Sequence, residues 1–66
     1  MATVIVEPTE GGAFCKMQDD SALPDFVKFP MLSGLSAQEI KEILLANGWR
    51  VTSEGPSQIW LWDLQD

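Results

Sequence analysis

The sequence predicts an α+β fold in which one helix packs on a small antiparallel sheet. A β-branched run near the N-terminus and a tryptophan-rich run near the C-terminus are each bordered by turn residues, which is typical of two hairpins. Between them, a segment of about ten residues carries apolar side chains at helical spacing. The simplest arrangement of these elements is a two-layer ββαββ domain.

Residues 3–17 are expected to form the N-terminal hairpin. The run Thr3-Val4-Ile5-Val6 is β-branched throughout, as strands prefer. Pro8 is expected to end this strand, and turn residues follow it as far as Gly12. Residues 13–17 alternate loosely between apolar and polar side chains, so they are expected to return as the antiparallel partner.

Residues 18–35 are predicted to form an irregular apolar connection. Pro24 and Pro30 oppose a long helix because proline lacks the backbone N–H donor. The segment is nevertheless too rich in apolar and aromatic residues to be a disordered linker. We expect its side chains to plug the edge of the core, and docking on a partner is the alternative.

Residues 37–46 are expected to form a helix with a defined start and stop. Ser36 and Glu39 have the spacing of a capping box, in which each side chain bonds the backbone amide of the other. Gly48 suits the left-handed position that follows a helix. The apolar face of this helix is formed by Ala37, Ile40, Ile43 and Leu44.

Residues 49–63 are expected to form the C-terminal hairpin around a four-residue turn that contains glycine and proline. A symmetric turn places Val51 opposite Trp60 and Trp49 opposite Trp62. These four side chains would then share one face of the sheet, because residues two apart in a strand point the same way.

The tryptophans pose the main question about function. Ile59 and Leu61 alternate with Trp60 and Trp62, so this strand offers apolar side chains to both faces of the sheet. One helix can cover only one face. The other face needs cover from residues 18–35, from a second subunit or from a binding partner.

Length and composition limit how the fold can be stabilised. The 66 residues suit one domain over residues 1–66, and a chain of this size buries only about 60% of its unfolded surface. Cys15 is the single cysteine and histidine is absent, so no internal disulfide, structural metal or cofactor is expected. Good packing or a homodimer must supply the remaining stability.

Several functional classes are disfavoured by the same composition. The chain has no histidine and no tyrosine, and no residues are spaced for nucleophilic or acid–base catalysis, so we expect no enzyme and no catalytic residues. The net charge of −6 disfavours binding to phosphate backbones. Neither a signal peptide nor a run of about 18 apolar residues is present. We therefore expect a cytoplasmic location and no membrane contact.

These observations favour a small acidic protein-binding module. We expect an inhibitor or regulator that docks on a larger protein, for example a basic protein that handles nucleic acid. Such small acidic inhibitors are sometimes encoded by phages, and a phage origin is one expectation for this chain. The alternatives are a single-stranded nucleic-acid binder that stacks bases on its tryptophans, and a structural homodimer paired through edge strands. The expected partner-binding residues are Trp60, Trp62, Ile59, Leu61, Glu54 and Asp63.

Overall fold

A computed structural model describes residues 2–64 of the chain, so Met1, Gln65 and Asp66 of the expected domain lie outside the described part. The α+β class is confirmed, and the element order is ββααββ. The elements are β1 (Thr3–Thr9), β2 (Gly12–Met17), α1 (Asp25–Leu32), α2 (Ala37–Ala46), β3 (Trp49–Glu54) and β4 (Ile59–Asp63).

The strands form one antiparallel sheet in the order β2-β1-β4-β3. The two hairpins are therefore joined by pairing of β1 with β4, in which Val4 lies opposite Leu61 and Ile5 opposite Trp60. Each hairpin contributes one central and one edge strand. The central strands β1 and β4 have hydrogen-bonded neighbours on both sides, whereas β2 and β3 each have one.

Both helices lie on one face of the sheet, where they meet the core side chains of the strands. Alternation along each strand sends every second side chain to this face. From α2, Ile40 and Leu44 are fully buried here. The core consists of Val4, Val6, Cys15, Met17, Val27, Ala37, Ile40, Leu44, Trp49, Ile59 and Leu61.

The predicted irregular connection contains a helix, so the predicted ββαββ order lacks one element. Helix α1 starts directly after Pro24, and Pro30 lies inside it. The proline removes one backbone hydrogen bond. Val27 is fully buried in the core, and Phe26 contacts Trp49 edge to face, with 6.5 Å between ring centroids. Burial of the apolar side chains of α1 therefore outweighs the local cost of the proline.

Helix α1 also covers the outer edge of β2. The N–H of Gln18 donates to Thr3 in β1, and the alternation of an antiparallel ladder then turns the N–H of Cys15 away from β1. That amide donates to the Met31 sulfur of α1, 3.0 Å away. The edge is thus partly closed, which limits pairing with another chain.

Helix α2 spans the predicted range. The Ser36 hydroxyl accepts from the amide of Glu39, and the Glu39 carboxylate accepts from the amide of Ser36. Gly48 follows the helix with a φ of 89°, a left-handed conformation that glycine adopts without steric cost. The backbone therefore turns directly into β3.

The predicted register of the C-terminal hairpin is wrong. Trp49 lies opposite Asp63 rather than Trp62, and Val51 lies opposite Leu61 rather than Trp60. A one-residue shift in register moves a whole strand's side chains to the other face. Val51 and Leu61 both face the helices in the observed register, because the core is built on that side.

A β-bulge accounts for the remaining irregularity of this hairpin. The register shifts between Val51 and Ser53, so Thr52 is the extra residue of β3. Its hydroxyl donates to the carbonyl of Trp60 at 3.2 Å. No simple symmetric turn predicts such a bulge.

The predicted end of β1 at Pro8 is also wrong, since the strand continues to Thr9 and Pro8 lies opposite Ala13. The carbonyl of Ala2 accepts from Asp63 in β4, so even-numbered residues of β1 turn their backbone groups toward β4. The β4 pairing stops opposite Val6. Pro8 therefore lies beyond β4, where its missing N–H has no strand to bond.

We predict that Gly12→Ala destabilises the fold. An added Cβ would lie 2.9 Å from the carbonyl oxygen of Gly34, which is a backbone atom and cannot move aside as the end of a flexible side chain could. Overpacking of this kind costs about 1–3 kcal/mol, which urea denaturation would measure. Gly11→Ala is the matched control, because nothing lies within 4 Å of its added Cβ. Equal stability of the two variants would contradict the prediction.

Candidate functional site

The sheet face opposite the helices carries the side chains that alternation turns away from the core. Within residues 2–64, no helix packs on this face, since both helices contribute to the core on the other side. We call it the tryptophan face. It is formed by Thr3, Ile5, Glu7, Thr9, Phe14, Lys16, Arg50, Ser53, Gln58, Trp60 and Trp62.

The centre of the tryptophan face is apolar and packed. Ile5 is only 5% exposed, although no helix covers it. Its direct neighbours across the sheet are Trp60 and Lys16, and cross-strand neighbours on one face reach each other directly. Trp60 and Trp62 are half-buried and Phe14 is 50% exposed. The side chains of this face therefore form a layer that leaves aromatic surface in solvent.

A chain of two hydrogen bonds crosses the tryptophan face. The Nε1–H of Trp60 donates to Oε1 of Gln58 at 3.2 Å. The side-chain amide of Gln58 in turn donates to Oε2 of Glu7 at 3.3 Å. This chain links β1 to the start of β4 and places the single acid of the face beside an amide rather than beside a base.

The bases of the tryptophan face lie on its two outer strands. Lys16 of β2 is opposite Ile5, and Arg50 of β3 is opposite Trp62. Arg50 also donates from Nη1 to the carbonyl of Trp49 at 3.2 Å, which holds its stem along the edge. With Glu7 as the only acid among its described residues, this face is locally positive although the whole chain carries −6.

Two of the expected partner-binding residues are buried in the structure. Ile59 is 5% exposed and Leu61 is fully buried. Both face the helices, because they are opposite Val6 and Val4 in the core register. A partner cannot reach them while the domain is folded. Trp60 and Trp62 remain accessible on the tryptophan face.

The two expected acidic binding residues do not lie beside the exposed tryptophans. Glu54 forms an ion pair with Lys41 of α2 at 3.0 Å, which places it on the helix side. Asp63 is opposite Trp49 and lies two residues beyond Leu61 on β4. Its side chain therefore points to the helix side as well, because residues two apart in a strand point the same way. The six expected residues therefore divide between opposite faces of the sheet.

Apart from Trp60 and Trp62, the residues of the tryptophan face were not predicted as binding residues from the sequence. Phe14 and Lys16 join the tryptophans only because β1 pairs with both β2 and β4. Arg50 joins them because of the register of β3. The alternation within each strand is readable from the sequence, but the pairing between the hairpins is not.

Other chemistry is sparse in the described part of the chain. Residues 2–64 contain no group of three or more acidic, cysteine or histidine side chains placed to hold a metal ion, and no cavity opens in their surface. The hydroxyl and amide of Ser21 bond the Asp19 carboxylate and lower its pKa. These contacts are local, as in a turn.

The chain matches no known protein family, no curated protein and no solved structure. None of the helices within residues 2–64 has the length and apolar character needed to cross a bilayer.

We predict that Cys15 is unreactive in the folded protein and lowers stability at high pH. Burial raises the pKa of its thiol to about 11, above the ordinary value of about 8.5. The unfolded chain therefore ionises first. The stabilising effect of the neutral thiol is full below about pH 8.5 and is lost as the pH rises through 11.

Urea denaturation between pH 8 and pH 11 would test this effect, together with the rate of reaction with a disulfide reagent at pH 8. Cys15→Ala is the control, since it removes the thiol and keeps every other side chain. We expect the wild type to lose more stability than Cys15→Ala over the range. Parallel losses, or fast labelling of the folded wild type, would contradict the prediction.

Proposed function

We propose that this protein is a non-enzymatic binding module that docks on a partner protein through its tryptophan face, as an inhibitor or regulator. The observation that carries the proposal is the exposed aromatic surface on a sheet face that no helix covers. Trp60, Trp62 and Phe14 supply most of that surface. Tryptophan and arginine are the residues most enriched at the energetic centres of protein interfaces, and Arg50 lies beside Trp62.

The charges of the face favour a particular kind of partner surface. Lys16 and Arg50 border the aromatic side chains, so a complementary surface would be apolar with carboxylates at its rim. A basic partner would instead need the acids of the helix side, such as Glu54. A flat surface cannot touch both sides of the sheet at once. We therefore propose docking through the tryptophan face alone.

The local charge of this face counts for more than the net charge of the chain. At physiological ionic strength, electrostatic interactions between exposed charges are screened over about 8 Å. A helix layer is about 10 Å thick, so acids on the outer side of α2, such as Glu39 and Glu42, act only weakly across the domain. The net charge of −6 therefore does not by itself decide which ligand the tryptophan face binds.

A second candidate is the binding of single-stranded nucleic acid. The observation that favours it is the position of Lys16 and Arg50 on the two outer strands, with the aromatic side chains between them. Single-strand binders combine base stacking on aromatic rings with cations along the phosphates. Two cations are few for this purpose, which is why we propose a protein partner first.

Pairing of two copies through edge strands is the third alternative. On one edge, Met31 already bonds the outward amide of Cys15. On the other edge, the bulge at Thr52 distorts β3. Bulges and covered edges both oppose strand addition, so this alternative has less support than docking through the tryptophan face.

Affinity capture with matched variants would test the proposed protein partner. The wild-type chain, Trp60→Ala and Trp62→Ala would be immobilised and exposed to extract of the cells in which the protein occurs. We expect a retained protein whose affinity falls about 30-fold or more in the tryptophan variants, the loss typical of interface hot spots.

Leu45→Ala is the control for capture, because it removes an exposed apolar side chain on α2, away from the tryptophan face. Its affinity for the retained protein should equal that of the wild type. A retained protein that binds all four chains equally would refute docking through the tryptophan face.

Tryptophan fluorescence would test the nucleic-acid candidate with an oligothymidylate of about 15 nucleotides at low salt. If single strands bind here, Lys16 and Arg50 each neutralise one phosphate, and the logarithm of the binding constant falls with that of the salt concentration at a slope of about −1.4, or 2 × −0.7. Arg50→Gln should halve this slope. Absence of quenching at about 20 mM salt, where such contacts are strongest, would eliminate the candidate.

A further inference from the structure

The indole of Trp60 is tied to its own sheet by hydrogen bonds with a defined direction. Its Nε1–H can only donate, and an ionised carboxylate such as that of Glu7 can only accept. Between them, Gln58 must turn its amide nitrogen to Glu7 and its oxygen to Trp60. The observed contacts have this orientation, at 3.3 Å and 3.2 Å, and the reverse orientation would lose both bonds.

Both ends of this hydrogen-bonded chain are held by the sheet. Glu7 belongs to the central strand β1, and Trp60 lies two residues beyond Gln58 on β4, opposite Ile5. Gln58 directly precedes β4, and its hydrogen bonds to Glu7 and Trp60 place its side chain on the tryptophan face. The buried Ile5 is beside the ring. The indole thus has support from an apolar neighbour and a polar anchor at its N–H.

We propose that Glu7 and Gln58 are positioning residues that hold the Trp60 indole as a fixed contact platform. Because the indole N–H is already bonded, Trp60 offers its ring to a partner and no hydrogen-bond donor. The partner group that lies on it is then an apolar group, such as an aliphatic side chain of an acidic-rimmed protein surface whose carboxylates reach Lys16 and Arg50. This inference rests on the proposed function, which names the tryptophan face as the docking site.

The position of the ring can be tested without any partner. The three tryptophans give three indole N–H signals in a proton–nitrogen NMR spectrum, which single Trp→Phe variants assign. In Gln58→Ala, we expect the Trp60 signal to shift and its exchange with water to accelerate about two- to tenfold, the effect of losing one typical hydrogen bond. The Trp49 signal should stay unchanged, since that side chain is buried on the helix side.

Three further variants make this measurement specific. Glu7→Gln keeps an oxygen that accepts from Gln58, so it should retain the wild-type Trp60 signal, whereas Glu7→Ala should not. Gln38→Ala removes an exposed glutamine of α2 and should change nothing. An unchanged Trp60 signal in both Gln58→Ala and Glu7→Ala would overturn the inference.

The contribution of Glu7 and Gln58 to binding is measured as the affinity of each variant for the protein retained in the capture experiment, after that protein is purified. A side chain that must be immobilised on binding weakens affinity about two- to tenfold, so we expect that loss for Gln58→Ala and Glu7→Ala, and wild-type affinity for Glu7→Gln. Trp60→Phe keeps an aromatic ring without the N–H. It should bind closer to the wild type than Trp60→Ala does.

The outcomes separate the positioning role from the proposed function. Equal losses in Trp60→Phe and Trp60→Ala would show that a partner needs the indole N–H, and would overturn the platform. A shifted Trp60 signal with unchanged affinity would overturn it as well. If the wild type retains no protein, the proposed function fails, and the NMR measurement still decides whether Glu7 and Gln58 hold the ring.

Discussion

The pairing of the first strand with the last is the interaction on which the rest of this structure depends. Val4 opposite Leu61 and Ile5 opposite Trp60 join two hairpins that would each be marginal alone. The contact closes almost the whole length of the chain, and a loop of that size is costly in conformational entropy. Once formed, it makes β1 and β4 central, sets both faces of the sheet and brings Glu7 within reach of Gln58.

The second constraint is the number of layers. A 66-residue chain has enough helix to cover one face of a four-stranded sheet, and α1 and α2 both lie on that face. Apolar side chains on the other face must then cover one another, as they do around Ile5, or remain in solvent, as Phe14 does. This division explains why Trp49 belongs to the core while Trp60 and Trp62 belong to the surface, although all three lie in one hairpin.

Charge is divided in the same way as apolar surface. Two of the bases, Lys16 and Arg50, border the aromatic side chains of the tryptophan face. Glu54, in contrast, is paired with Lys41 on the helix side. Surface ion pairs of this kind contribute at most about 1 kcal/mol to stability, so the division matters more for recognition than for folding. An acidic chain can therefore present a locally basic aromatic face, and its net charge alone is a poor guide to its ligand.

The sequence alone determined the elements whose signals are local. The range of α2 follows from its capping residues and helical spacing, and the two hairpins follow from β-branched and aromatic runs around turn residues. It did not reveal α1, because Pro30 inside the helix is unfavourable locally and only burial of Val27 and contact of Phe26 with Trp49 compensate for it. The register of β3 and the bulge at Thr52 were decided by the core, which requires Val51 and Leu61 on the helix side. The tryptophan face was likewise decided by tertiary structure, because alternation within a strand is local whereas pairing between distant strands depends on the whole fold.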